Sequence, residues 1–348
     1  MSDTLIDYLD KSWNPIQDKE KGKSGNGYHC TKVSKGCTNC WAERMNKRIG
    51  NGKAFVERYS VLSIQKSEKS VNKSRERIKT EFEIKESELL KPFKWRKPCR
   101  IGVQFMGDLF HEDVPFDMIE RVFKVTHQNP RHTFIIFTKR PEMMKEYFDG
   151  ILKNWIAIPP HIWLCTSVED QKTADERIPI LLSIPAAVRG VSYEPALSPV
   201  DFSKFFKNNC KYCGKSLNKF DSCSNCEADY PYKVGIDWVI MGGEAGPGSR
   251  PMHPEWARSV QKQCAEAEVA FWFKQWGDYV MSNEQLVMNN KSKRVEHMNI
   301  KGEIFKKGIN VNSDDIQQKW YETFKRVGKK KAGHLLDGRA YQEIPNNK

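Results

Sequence analysis

The stretch IGVQFMGDLFHEDVPFDMIERVFKVTHQNPRHTFIIFTKRPEMM, residues 101–144, decides how the chain is read. Its opening, IGVQFMGDLF (101–110), is apolar and then turns polar. MIERVFKVTHQ (118–128) sets Ile119, Val122, Phe123 and Thr126 at helical spacing. HTFIIFTKRP (132–141) is a short continuous apolar run, the signature of a strand buried on both faces. Strand, helix, strand is the unit from which parallel sheets are assembled.

The same alternation continues outward. EMMKEYFDGIL (142–152), TADERIPILLS (173–183) and PEWARSVQKQCAEAE (254–268) read as helices. HIWLCTSVED (161–170), AAVRGVSYEP (186–195), IDWVIMGGEAG (236–246) and VAFWFKQWG (269–277) read as strands. With a further strand expected around the first cysteine cluster, these six predict an α/β fold, a full or partial (β/α) barrel. A doubly wound open sheet is the alternative, which periodicity does not separate. The barrel is expected over residues 1–277. A charged surface excursion is expected at 51–100, helix-like over SVNKSRERIKTEFEI, and an insertion at 200–233. A C-terminal extension, 278–348, carries the basic run FKRVGKKK (324–331).

Each strand ends in polar, reactive side chains: Asp108 and His111; Lys139 and Arg140; Glu169 and Asp170; Glu194; Glu244; Lys274 and Gln275. In parallel α/β folds the carboxyl ends of the strands form the ligand-binding face, so these residues are expected to converge.

The 348 residues are 39% hydrophobic and 29% charged, a folded and water-soluble composition. No apolar run approaches the roughly 18 residues of a membrane span. The start, MSDTLIDYLDKSWNP, lacks the apolar core of a secretory signal, so the expected location is the cytoplasm. The net charge is +13, and the first hundred residues hold 23 lysines and arginines against 13 acids. Such a surface favours polyanions, nucleic acid first among them.

Ten cysteines in a reducing compartment point to metal binding or catalysis rather than disulfides. Cys165 and Cys264 sit among apolar neighbours and read as small buried hydrophobes. Cys30, Cys37 and Cys40 form C-x6-C-x2-C on a turn-rich loop that opens onto a helix. Three thiolates without a nearby fourth suit a [4Fe–4S] cluster that keeps one iron open. Zinc competes, with His29 or a distant residue as fourth ligand. Cys210, Cys213, Cys223 and Cys226 form C-x2-C-x9-C-x2-C, a zinc-ribbon-like spacing that closes all four positions of one structural zinc ion, although iron is also compatible with four thiolates. Lysines and the aromatics Phe206, Tyr212 and Phe220 on this insertion are a candidate nucleic-acid contact.

The loop CTNCWAERM resembles the cluster loop of radical S-adenosylmethionine enzymes. The chain more closely resembles a phage-associated family of three-cysteine-motif proteins, themselves radical-SAM-like. The shared segments are WNPIQ, C-x6-C-x2-C, GDLFHEDVP (107–115), FTKRPEMM (137–144), SVEDQKTADERIP (167–179), SYEPAL (192–197), GGEAGPGSRPMHP (242–254) and FKQWG (273–277). This resemblance implies a barrel of radical-SAM type in a bacterial or phage-infected cell. It implies reductive cleavage of S-adenosylmethionine to a 5′-deoxyadenosyl radical, an electron donor such as flavodoxin or ferredoxin, and a possible protein partner. Carried onto this sequence, Glu244 in the turn with Gly242 and Gly243 would meet the methionyl amine. Glu169 and Glu194 would meet ribose hydroxyls. Lys139, Arg140 or Arg250 would pair with a carboxylate or a substrate phosphate. With the basic charge, the expected substrate is a nucleic-acid base or nucleotide, for modification or repair.

The second reading is a non-catalytic zinc protein that grips nucleic acid or a partner through two structural sites. A zinc hydrolase using His111, Glu112 and Asp113 has the residue types but not the H-E-x-x-H spacing. GGEAGPGSRP matches neither glycine-rich phosphate pattern, which leaves nucleotide hydrolysis weakly supported.

Overall fold

Phe134, Ile135 and Ile136 have no solvent exposure, the burial that their continuous apolar run demands. They lie in a computed structural model that describes residues 4–19, 27–57, 80–151, 158–206, 235–281, 295–304 and 322–345. The chain divides into two units, Met1–Tyr147 and Phe148–Lys348.

The first unit contains β1 (Lys11–Trp13), β2 (Ile16–Asp18), β3 (Thr31–Lys32), α1 (Trp41–Ile49), β4 (Val56–Glu57), β5 (Phe82–Ile84), α2 (Glu86–Leu89), α3 (Lys91–Lys94), β6 (Arg100–Val103), α4 (Phe116–His127) and β7 (Thr133–Thr138). α5 (Pro141–Ile151) begins here. Parallel pairing runs β1-β6-β7, with Trp13 opposite Val103 and Val103 opposite Ile136. The first parallel strand therefore lies upstream of the cysteine loop, where three residues are too few for periodicity to register. Trp13 is fully buried, and its indole N–H donates to the Glu88 carbonyl at 2.8 Å. β2 and β5 pair antiparallel. This corrects the helical reading of residues 80–84. Phe82 and Ile84 alternate with Glu81 and Glu83, a period of two that suits a strand.

The second unit contains β8 (Ile162–Val168), α6 (Gln171–Leu182), β9 (Val188–Tyr193), β10 (Trp238–Gly242), α7 (Pro254–Glu266), β11 (Ala270–Gln275), β12 (Tyr279–Met281), β13 (Val295–Met298), β14 (Glu322–Arg326) and α8 (Lys329–Ala332). Its parallel strands run β8-β9-β10-β11 in chain order. Neither unit reverses its strand order, as a doubly wound sheet does at its switch point. Seven parallel strands with intervening helices are compatible with a partial (β/α) barrel. Helix starts are set locally. Asp170 caps α6 by accepting from the Thr173 amide at 2.8 Å, and Pro254 opens α7. Val191, Val239, Met241, Ala257 and Val260 are buried together between α7 and the strands.

The C-terminal segment is stitched into this unit. β12-β14-β13 forms an antiparallel sheet, the Phe273 amide donates to the Tyr341 carbonyl, and the Trp238 indole donates to the Glu343 carbonyl. Phe206 is not a surface aromatic. It is 7% exposed and stacks on the buried Phe202, because the short 3-10 turn Ser203–Phe205 folds it inward. Cys210, Cys213, Cys223 and Cys226, with Tyr212 and Phe220, lie outside the described residues. No helix among the described residues is long and apolar enough to cross a membrane.

Two glycines should respond in opposite directions to alanine. A Cβ at Gly243 would stand 2.1 Å from the Trp276 carbonyl oxygen, a backbone atom that cannot swing aside. A Cβ at Gly150, exposed near the end of α5, meets nothing within 4 Å. Denaturant unfolding should show Gly243→Ala losing stability and Gly150→Ala gaining roughly 0.5 kcal/mol.

Candidate functional site

Cys30 leads into β3, Cys37 ends a short 3-10 turn over Lys35–Cys37, and Cys40 stands immediately before α1. Both ends of this loop are pinned. The Asn46 amide group, fully buried, accepts from the Tyr28 backbone at 3.1 Å and donates to Asn51 Oδ1 at 2.8 Å. The Glu43 carboxylate is buried between Lys32 at 3.1 Å and Lys47 at 2.6 Å. Arg44 donates to the Asn39 carbonyl at 2.7 Å, closing the turn ahead of the helix.

The other wall of the loop is Arg140, 1% exposed, just beyond the end of β7. Its Nε donates to Glu112 Oε2 at 2.6 Å. Nη1 donates to Asp108 Oδ2 at 3.0 Å and faces Cys30 Sγ at 3.8 Å. Nη2 donates to the Thr31 carbonyl at 2.9 Å and to Thr31 Oγ1. All five guanidinium N–H bonds are thus engaged. Asp108 also accepts from Thr138 Oγ1 at 2.7 Å and from the Phe110 and Lys139 amides. It thereby joins the ends of β6 and β7.

His111 completes the cluster. Its Nδ1 accepts from the Asp113 amide at 3.1 Å, which leaves the proton on Nε2 to face Thr31 Oγ1 at 3.2 Å. The Thr31 hydroxyl donates to Glu112 Oε1 at 3.3 Å. The His29 and Phe82 rings pack edge-on against His111 at 5.6 and 5.5 Å.

Charges follow from this packing. Burial pushes the Cys30 thiol up to about 12, with Arg140 pulling the other way. Burial also raises Cys40, opposed by the Glu43 and Ala42 amides of α1 and by the Lys139 charge. Burial resists ionisation of Glu112, yet Arg140 outweighs it and holds the carboxyl at about 2. Burial, reinforced by Arg140, lowers the His111 imidazole to about 4, so at neutral pH it is uncharged. Among the described residues, no three His, Cys, Asp or Glu side chains converge as ligands of one metal ion.

The remaining sequence-predicted residues lie in the second unit, paired with one another or with partners that the sequence did not reveal. Arg250 clamps the Glu244 carboxylate through Nη2 at 2.6 Å and Nε at 2.9 Å. Lys274 pairs with Glu194 at 2.9 Å, and Glu194 lies against Gly242, where a Cβ would stand 2.7 Å from its Oε1. Arg177 pairs with Glu169 at 3.1 Å. Glu169 Oε1 and Gln275 Oε1 are buried without a hydrogen-bond partner among the described residues. Asp278 and Arg326, paired at 2.7 Å, escaped the sequence reading because 48 residues separate them. Thr31 and the clamping role of Glu112 escaped it too, since nothing local to either residue reveals Arg140.

The buried neutral imidazole makes stability depend on pH. The folded-state pKa of His111 lies below its unfolded value, so its contribution is complete above about pH 6.5 and is lost as pH falls toward 4. Between those limits the wild type should lose up to about 3 kcal/mol more unfolding free energy than His111→Gln. Denaturant titrations at several pH values check this, and parallel curves for the two chains would place the dependence elsewhere.

No curated protein and no solved structure matched this chain. A family profile described as "Protein of unknown function (DUF5131)" matches residues 3–345. The chain, matched over nearly its whole length, belongs to the DUF5131 family.

Proposed function

We propose that this chain is an iron–sulfur enzyme of the radical S-adenosylmethionine type, with Cys30, Cys37 and Cys40 as the cluster ligands and a nucleic-acid base or nucleotide as substrate. The observation that carries the reading is the thiol loop itself. Three cysteines fall within eleven residues, and Cys30 faces a buried guanidinium whose every donor is in use. The donor set suits the group. Burial raises both the Cys30 and the Cys40 thiol, Arg140 opposes it at Cys30 and Lys139 with the α1 amides at Cys40, and the positive charge of a bound metal would supply the rest of what the thiolates need. A single zinc ion would need its sulfurs drawn to about 3.8 Å from one another, given bonds of about 2.3 Å. A four-iron cubane spreads its three thiolates wider and leaves one iron open to a further ligand.

With cluster and S-adenosylmethionine bound, the pair supplies one-electron chemistry that the protein's own side chains lack. The protein's part is to bind, orient and exclude water. Arg140 holds the loop against the ends of β6 and β7, and neutral His111 fills the space behind Thr31 without adding charge. In the second unit, Glu244, Glu194 and Glu169 are the candidate anchors for amine and hydroxyl groups. Glu169 Oε1 and Gln275 Oε1, without a partner among the described residues, are acceptors that donors of a ligand would satisfy. The +13 charge supports a polyanionic substrate.

Iron, acid-labile sulfide and zinc should be counted per chain after purification without oxygen. About four irons and four sulfides are expected, absent from Cys30→Ala/Cys37→Ala/Cys40→Ala while zinc elsewhere stays. Zinc without sulfide on the three cysteines, after anaerobic reconstitution, would overturn the proposal and favour a zinc-stabilised binding protein.

A further inference from the structure

On α4, α6 and α7, Lys124, Lys172 and Lys262 pair with Glu120, Glu176 and Glu266, each four residues away. The segment at β14 and α8 is different. Lys325, Lys329, Lys330 and Lys331 are all exposed, and none pairs with a carboxylate among the described residues. Four like charges within seven residues repel one another, which leaves a strong local field unless an anion arrives.

This basic segment is held in place. Lys325 stands on the central strand of the antiparallel sheet. The Val327 and Gly328 amides donate to the Asp278 carbonyl at 2.8 and 3.0 Å. The Arg326 guanidinium grips the Asp278 carboxylate and donates to the Gly246 carbonyl at 2.7 Å. Beyond α8, the Gly333 carbonyl accepts from the Trp276 amide at 3.1 Å, and the Leu335 carbonyl accepts from the Trp276 indole at 2.9 Å. Gly328, at φ +87°, and Gly333, at φ +78°, let the chain turn into and out of the lysine-bearing helix. Residues 276–278, which make these bonds, also close on Glu244, whose carbonyl accepts from the Asp278 amide at 3.1 Å. The lysines are therefore fixed beside the carboxyl ends of β10 and β11, the end at which parallel β/α folds bind their ligands.

We propose that Lys325, Lys329, Lys330 and Lys331 form a docking surface for the phosphodiester backbone of a nucleic-acid strand. Lysines are point charges that contact phosphates without reading bases, so binding through them is independent of sequence and sensitive to salt. A polyanion satisfies all four charges at once, which a small anionic metabolite does not. The inference deepens the nucleic-acid part of the proposed function and does not depend on the cluster.

The test is fluorescence anisotropy with a labelled single strand of about 20 nucleotides, at several salt concentrations. Lys329→Glu/Lys330→Glu/Lys331→Glu should bind at least about tenfold more weakly near 0.1 M salt, and the slope of log K against log salt should shrink by about 2. The control Lys124→Glu/Lys172→Glu/Lys262→Glu makes the same change in net charge and should stay within about threefold of wild type. Equal losses in both variants, or no binding by the wild type, would overturn the surface. So would equally tight binding of an acidic polypeptide of matched charge, which would assign the lysines to an acidic protein. Iron, sulfide and zinc are counted on the same wild-type preparation. Failure of the cluster reading would therefore show in the metal content and leave this result standing.

Discussion

A guanidinium with no access to water is the fixed point of the first unit. Burying the Arg140 charge is costly unless it is paired and hydrogen-bonded, and this one is met by Asp108, Glu112 and two oxygens of Thr31. Taking it away would leave the buried Asp108 and the mostly covered Glu112 without their shared cation, a loss of about 3–5 kcal/mol for a broken buried pair. The pairing dictates where the ends of β6 and β7 meet, since Asp108 follows the first and Thr138 closes the second. It also dictates where Cys30 sits, because the same guanidinium holds the carbonyl of the next residue. Loop position and sulfur electrostatics thus have one cause.

The second unit solves a similar problem by separate pairings. Glu169, Glu194, Glu244 and Asp278 stand at or just beyond the ends of successive strands, and each has its own cation: Arg177, Lys274, Arg250 and Arg326. Carboxylates so close to a buried strand end would be costly to ionise alone. Paired, they make a rigid polar rim, and the Gly242–Gly243 turn lets Glu194 and the Trp276 backbone approach it closely. Those glycines serve packing contacts within the rim.

Much of this was legible in the sequence. Continuous apolar runs gave the strands from β6 to β11, since burial on both faces leaves no polar alternation to confuse the reading. The strand-end positions of Asp108, Arg140, Glu169, Glu194 and Glu244 followed from the switch from apolar to polar residues. What stayed hidden was long-range or short. β1 is three residues long, and β5 was obscured by the helix-like charge pattern before it. Phe206 read as surface because lysines crowd the sequence around it, yet one 3-10 turn reverses its direction. The partners of Arg140 and Asp278 come from distant segments, so composition and spacing carry no sign of them.

The iron–sulfur cluster proposed for the loop held by Arg140 would keep one iron open to a ligand. Electron paramagnetic resonance of the anaerobically purified, reduced protein tests it most directly, recorded with and without S-adenosylmethionine. The expected result is a reduced-cluster signal that changes shape when S-adenosylmethionine is added and is missing from Cys30→Ala/Cys37→Ala/Cys40→Ala. A reconstituted wild type that gives no signal, or one indifferent to S-adenosylmethionine, would contradict it.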